Sequence, residues 1–177
     1  RKRKFISSWI LSTYMFPPIV AIIPIFIFAG KINAIDTYPV LAIPYAAFNL
    51  PIVIWILRSS IEQIPKEIEE AALVDGANGW HYVSKILLPL SVPALATGAI
   101  LSSILTWNDF LFGASFSDFS SYPLTVALNN LVSSSTGVKE YNVHFAGAIL
   151  AALPTLLVYI VAGRYFVRGL MAGSVKG

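Results

Sequence analysis

Four apolar stretches without a single Lys, Arg, Asp or Glu set the terms for this chain: residues 5–30 (26 residues), 37–57 (21), 86–108 (23) and 141–163 (23). A helix needs roughly 20 residues to cross a hydrocarbon core of about 30 Å, so each stretch is long enough. In a chain of 177 residues, 56% hydrophobic and 12% charged, these runs leave too little polar surface for an ordinary aqueous domain. The expectation is an all-α polytopic membrane bundle with four spans, residues 1–177 forming one transmembrane domain. Alternating ten-residue segments, the mark of a membrane barrel, are absent. Pro17, Pro18, Pro24, Pro44, Pro51 and Pro154 fall inside the runs and predict kinks, because neighbouring helices can satisfy the freed carbonyls.

Charge orients the bundle. With the opening RKRK on the cytoplasmic side, four crossings put ten Lys and Arg inside and leave Lys31 and Lys139 outside. The positive-inside rule selects that topology, with residues 59–88 as a cytoplasmic loop and the C-terminus cytoplasmic. A net charge of +3, with bases at the ends of apolar runs, gives no stripe for nucleic acid. Cysteine is absent, which removes disulfides and thiolate metal sites. His81 and His144 fall on opposite sides of the membrane, so no metal is expected. The chain opens RKRKF without Met and without a cleavage site after the first apolar run, so the expectation is that an N-terminal portion of a longer protein is missing. On the outer side, PLTVALNNL from Pro123 has the spacing of a short amphipathic helix, and Ser133 to Gly137 reads as a turn.

The cytoplasmic loop has more design than a connector needs. Pro65 opens a helix, Glu67, Glu69 and Glu70 place negative charge near the positive end of its dipole, and Gly76 ends it after about eleven residues, roughly 16 Å. Ile64, Ile68, Ala71, Ala72 and Asp75 form one stripe grading from bulky to small to acidic. Gly79 permits a second helix from Trp80 to Leu87, and Pro89 marks entry to the third span. Such a knob has two uses: to dock on another polypeptide through its small centre, or to lie on the membrane with Trp80 and Tyr82 as interfacial anchors.

The full spacing resembles a known pattern. Glu70-Ala71-Ala72, three residues, Gly76, nine residues, Ile86, one residue and Leu88-Pro89 is similar, without gap or substitution, to the EAA loop of ABC importer permeases. FPPIVAIIPIF from Phe16, LRSSIEQIPKEIEEAALVDGA from Leu57, WNDFLF from Trp107, YPLTVALNNL from Tyr122 and RYFVRGLMAGSVKG at the end look like the carbohydrate-uptake branch, the maltose-type second permease. The resemblance covers essentially the whole chain, and such permeases carry two further N-terminal spans.

The resemblance implies a bacterial or archaeal plasma (inner) membrane protein that imports a sugar or related polyol by alternating access. It implies four kinds of partner: a second permease subunit, a dimer of ATP-binding subunits, an extracytoplasmic solute-binding protein and membrane lipid. No cofactor is expected in this chain, ATP and Mg being held by the ATPase. Glu70 would pair with a basic group there, Ala71 and Ala72 would permit close approach, Asp75 and Gly76 would shape the corner, and Ile86, Leu88 and Pro89 complete the motif. The tail residues Gly173, Ser174, Val175, Lys176 and Gly177 either reach toward the ATPase interface or form a frayed terminus.

For the solute pathway, Asn49, Trp107, Asn108 and Asp109 are the candidates, since sugars need aromatic faces and hydrogen-bonding groups. Three have a plainer use: Trp107 as an interfacial anchor, Asp109 as a solvated helix-end charge, Asn49 as glue between helices. Ala94 and Gly98, four residues apart, suit close helix packing. A solute other than sugar is the alternative cargo. A secondary transporter is the more distant one, because the runs lack the ionisable groups that ion coupling uses. An intramembrane enzyme fits worse, since GASF at Gly113 lacks a nucleophile pattern, and with no Walker A sequence in the chain ATP hydrolysis is expected in a partner.

Overall fold

The computed structural model describes residues 9–118, 120–134 and 141–171, with 132–134 and 162–171 followed as backbone only. After a helical turn at 9–13, the regular elements are α1 (Pro18–Lys31), α2 (Tyr38–Ile61), α3 (Lys66–Val74), α4 (Gly79–Tyr82), a π-helical turn (Val83–Leu87), α5 (Leu88–Leu90), α6 (Val92–Trp107), α7 (Leu111–Phe116), α8 (Leu124–Ser134) and α9 (Tyr141–Met171). The architecture is an all-α membrane bundle.

Helix α6 is its hub, packed along α2 on one side and α9 on the other. Small residues allow the approach to α2: Ala94 and Gly98 are buried, and a Cβ on Gly98 would lie 3.2 Å from Val53 Cγ1. Gly147 on α9 likewise lies so close to Leu128 of α8 that a Cβ there would strike its side chain. The faces of α9 turned away from α6 carry exposed Ile149, Leu150, Leu153, Leu156 and Leu157, a surface that suits lipid or another apolar helix and not water.

The expected four spans become fewer continuous helices. Tyr38–Ile61 and Tyr141–Val161 are each long and apolar enough to cross a membrane. The stretch predicted at 5–30 is not one helix: the chain leaves helical geometry at Tyr14–Pro17, and Pro17 adopts φ −65°, ψ 124°. Pro18 is the cause, because its ring clashes with a helical conformation at the residue before it. The remaining α1 has 14 residues, about 21 Å at 1.5 Å each, short of a full crossing. The stretch predicted at 86–108 is bent by 65° between Gly79–Leu90 and Val92–Trp107. Pro89 and Pro93 remove two helical donors on either side of Ser91, which accounts for the π-helical turn and the bend together.

At the end opposite the 62–90 loop, α7 plugs the space between α1 and α2. Its Phe112 and Phe116 are buried with Ala29, Val40 and Leu41 in the main apolar cluster. Ring centroids of Phe48 and Phe112 are 5.3 Å apart, those of Tyr45 and Phe112 5.9 Å in edge-to-face contact. The amphipathic helix predicted from Pro123 is α8, while α7 had no forecast.

Candidate functional site

The loop folds as an elbow. Helix α3 runs nine residues, two fewer than expected, with Pro65 before it and Asp75 after it. Gly76 takes φ +78°, its N–H donates to Leu73 O at 3.1 Å, and Ala77 N donates to Ala72 O at 2.9 Å. That pair of bonds is a Schellman closure, in which a left-handed residue satisfies the last carbonyls of the helix. Two residues later Asn78 Oδ1 accepts from His81 N at 2.7 Å and caps α4. From there the chain runs on past the residue expected to end the second helix, Leu87, through the π-helical turn to Leu90.

The elbow gathers some of the predicted residues and separates others. Ala72, Asp75, Gly76 and Ile86 line its inner corner with Asn78 and His81, around a cavity of about 290 Å³. Ala72 is only 5% exposed, while Glu70 and Ala71 face outward and so do Leu88 and Pro89. Among the described residues Glu67, Glu69, Glu70 and Asp75 have no ion pair; the loop's entry holds Arg58 Nε to Glu62 Oε1 at 2.7 Å. Three apolar residues that the motif does not specify stand out: Leu73 is 62% exposed, Val74 87% and Trp80 79%. Their signal was available, since they flank the glycine corner on short helices with nothing behind them to cover both faces. The tail residues Gly173 to Gly177 lie outside the described residues.

The four residues considered for the solute pathway are wired into the bundle. Asn49 Nδ2 donates to Thr106 Oγ1 at 2.9 Å, joining α2 to α6. Trp107 Nε1 donates to Ala151 O at 2.9 Å, joining α6 to α9 in the turn just before Pro154. Asn108 Nδ2 donates back to Ile104 O at 2.8 Å. Asp109 Oδ2 accepts from Tyr45 OH at 3.0 Å and from Phe112 N at 3.0 Å, and its carbonyl accepts from Thr125 Oγ1 at 2.6 Å. One aspartate thus caps α7 and ties it to α2 and α8. A second does the same for the next loop. Asp36 Oδ1 accepts from Asp118 N at 2.9 Å and from Ser121 N and Oγ at 3.0 Å each, and Oδ2 accepts from Ser120 N at 2.8 Å. Sequence reasoning missed Asp36; its only trace was an acid at the mouth of an apolar run, next to a Thr-Tyr-Pro start.

The hub-and-elbow bundle is that of an integral membrane transport component. Residues 1–171 match the family of the binding-protein-dependent transport system inner membrane component, and the chain belongs to it. Among curated relatives it is 35% identical to the probable ABC transporter permease protein YurM of Bacillus subtilis, over 94% of this chain and 55% of that protein. It is 34% identical to the trehalose/maltose transport system permease protein MalG of Thermococcus litoralis, over 99% of this chain and 63% of that one. Identity to the trehalose transport system permease protein SugB of Mycobacterium tuberculosis is 36%, over 99% and 64%. The chain therefore spans between 55% and 64% of the length of these relatives.

Proposed function

We propose that this chain is part of a permease subunit of an ATP-driven importer that moves a sugar or related polyol across the cytoplasmic membrane. The observation that carries the reading is the elbow. Its corner is set by local bonds that end α3 and cap α4, and its outward side presents Glu70, Ala71, Leu73 and Val74 exposed among the described residues. The elbow runs through the π-helical turn into the hub helix α6, so a push on it is delivered to the centre of the bundle. The pusher in this reading is a dimer of ATP-binding subunits holding ATP and Mg. Closure of that dimer swings the bundle between inward-open and outward-open states. The charge asymmetry supports a cytoplasmic elbow and C-terminus. The names of the trehalose, maltose and α-glucoside permeases among its relatives support sugar as cargo. A second permease subunit and an extracytoplasmic solute-binding protein complete the assembly.

The test is ATP-driven uptake of radiolabelled sugars by the reconstituted full complex. Glu70→Lys reverses the docking charge. Gly76→Pro cannot adopt φ +78° and also deletes the N–H that bonds Leu73. Both variants are expected to assemble and to lose uptake while ATP hydrolysis becomes independent of solute. Unaltered uptake in both would refute the elbow's role.

A further inference from the structure

Near the hub, a cavity of about 640 Å³ opens between α2, α6 and the start of α8, lined in part by Tyr45, Ser103, Thr106, Trp107 and Tyr122. Its volume is in the range of small-molecule sites, roughly 300–1,000 Å³. Among the described residues no Lys, Arg, Asp or Glu lines it. Resting on the sugar-import reading above, we propose that this cavity is a subsite for a neutral polyhydroxylated solute, with Tyr45, Ser103, Thr106 and Tyr122 as its hydrogen-bonding groups.

The hydrogen-bond inventory carries the proposal. A hydroxyl has one proton to donate and two lone pairs to accept with. Tyr45 donates its proton to Asp109 Oδ2 at 3.0 Å, and Ser103 donates its own to Ala99 O at 2.8 Å, so both keep lone pairs for a ligand. Thr106 accepts from Asn49 at 2.9 Å and Tyr122 accepts from Asn130, so both keep a proton to give. Internal bonds thus fix four hydroxyls in place and leave two poised to donate and two to accept. Ser102 adds a buried hydroxyl in the same wall with no partner among the described residues. A lipid tail or an apolar helix would leave the hydroxyl protons of Thr106, Tyr122 and Ser102 without an acceptor in a low-dielectric setting, which is costly. A sugar hydroxyl is both donor and acceptor and matches it. The aromatic rings of Tyr45, Trp107 and Tyr122 offer apolar faces for the C–H side of a sugar ring. Tyr45 and Tyr122 also line a second cavity of about 380 Å³, together with Tyr38 and Ser120.

The experiment uses the whole importer with cysteine-free partners, since this chain has no cysteine of its own. The wild-type complex is first given a panel of neutral sugars, polyols and ionic solutes. Uptake of ionic solutes alone would sink the import reading itself, and this subsite with it. With sugar uptake established, Tyr122→Phe and Thr106→Val are each expected to raise KM by up to roughly tenfold, the net effect of one lost hydrogen bond. The transported sugar, unlike an excluded one, is expected to protect Ser103→Cys from a small hydrophilic thiol reagent. Unchanged KM in both variants, with no protection at Ser103→Cys, overturns the subsite while leaving the import reading intact. Failure of the reagent to reach Ser103→Cys even without sugar also overturns it, because protein or lipid then fills the cavity. Should Thr106→Val weaken the α2–α6 joint, Tyr122→Phe keeps the test decisive, since among the described residues its hydroxyl bonds only the exposed Asn130.

Discussion

At the elbow every bond that sets the shape is local: Asp75 N to Ala71 O, Gly76 N to Leu73 O, Ala77 N to Ala72 O, His81 N to Asn78 Oδ1. At the opposite end the shape is set across the chain, Asp36 reaching partners 82 to 85 positions away and Asp109 a partner 64 away. The two ends therefore answer differently to a rearrangement of the helices. A peg closed by its own backbone keeps its form while the bundle around it shifts. An end tied by two carboxylates keeps its form only while α1, α2, α7 and α8 stay together. That division suits a transporter in which one end receives force and the other must hold a shaped passage.

The largest effect expected from breaking this contrast is at Asp36. Among the described residues its carboxylate holds three backbone N–H groups and one hydroxyl, and hydrogen bonds to a charged group contribute about 1.5–3 kcal/mol each, less when solvent reaches them and never additively. Asp36→Ala also keeps a Cβ at φ +61° while losing the short polar side chain that eases that angle, a smaller further cost. We expect a loss of about 3 kcal/mol, seen as a fall in the thermal unfolding midpoint of the purified complex and as new proteolytic cleavage near Ser120. Asp36→Gly removes the carboxylate while tolerating the backbone angle, and should fall less far. If Asp36→Ala leaves both measurements unchanged, the clasp is not what holds this end.

How far each end is legible in the sequence follows from the same contrast. The elbow was readable because its signals lie within a few residues of one another: a proline, an acidic first turn, a glycine corner. So were α2, α8 and α9, whose apolar runs or periodicity are local properties. The prolines were only half readable. Pro24, Pro44, Pro51 and Pro154 sit inside continuous helices, whereas the Pro17-Pro18 tandem breaks one and Pro89 with Pro93 bends another. Pairing, not presence, decides: Pro18 constrains a residue that itself lacks a donor, while Pro89 and Pro93 remove two donors about one turn apart. The Asp36 and Asp109 ties could not be seen, since a carboxylate's partners 64 to 85 residues distant leave no periodic mark. For the same reason the four residues considered for the solute pathway were recognisable as polar, while their bonding to Thr106, Ala151, Ile104 and Tyr45 was not.

A middle-sized effect belongs to the joint between the two ends. Asn49 and Thr106 bond within the bundle at 2.9 Å, and interhelical side-chain bonds in membranes average about 0.6 kcal/mol with a ceiling near 2. Asn49→Leu should lower the stability of the complex by about 1 kcal/mol, far below the loss at Asp36. A double-mutant cycle with Thr106→Val checks this: a coupling energy indistinguishable from zero would mean that small-residue packing at Gly98, and not this bond, joins α2 to α6.

The smallest effects test whether the elbow is as self-contained as its bonds imply. Gly76 and Gly79 both face open space, with nothing within 4 Å of a Cβ built on either, yet only Gly76 has a positive φ. Sterics with neighbours therefore cancel from the comparison, and backbone conformation alone separates the two sites. Gly76→Ala should cost roughly 1 kcal/mol through the left-handed angle, while Gly79→Ala, at the first position of α4, should stabilise by about 0.5 kcal/mol through the entropy of the unfolded loop. Hydrogen exchange at the Ala77 amide, which closes the corner on Ala72 O, reads both: about fivefold faster in the first variant and about twofold slower in the second. If exchange at the Asp36-bound amides of Ser120 and Ser121 shifted in step, the corner would be coupled to the far end and the elbow would not be an independent body. No such shift is expected, because no bond that shapes the corner leaves the loop.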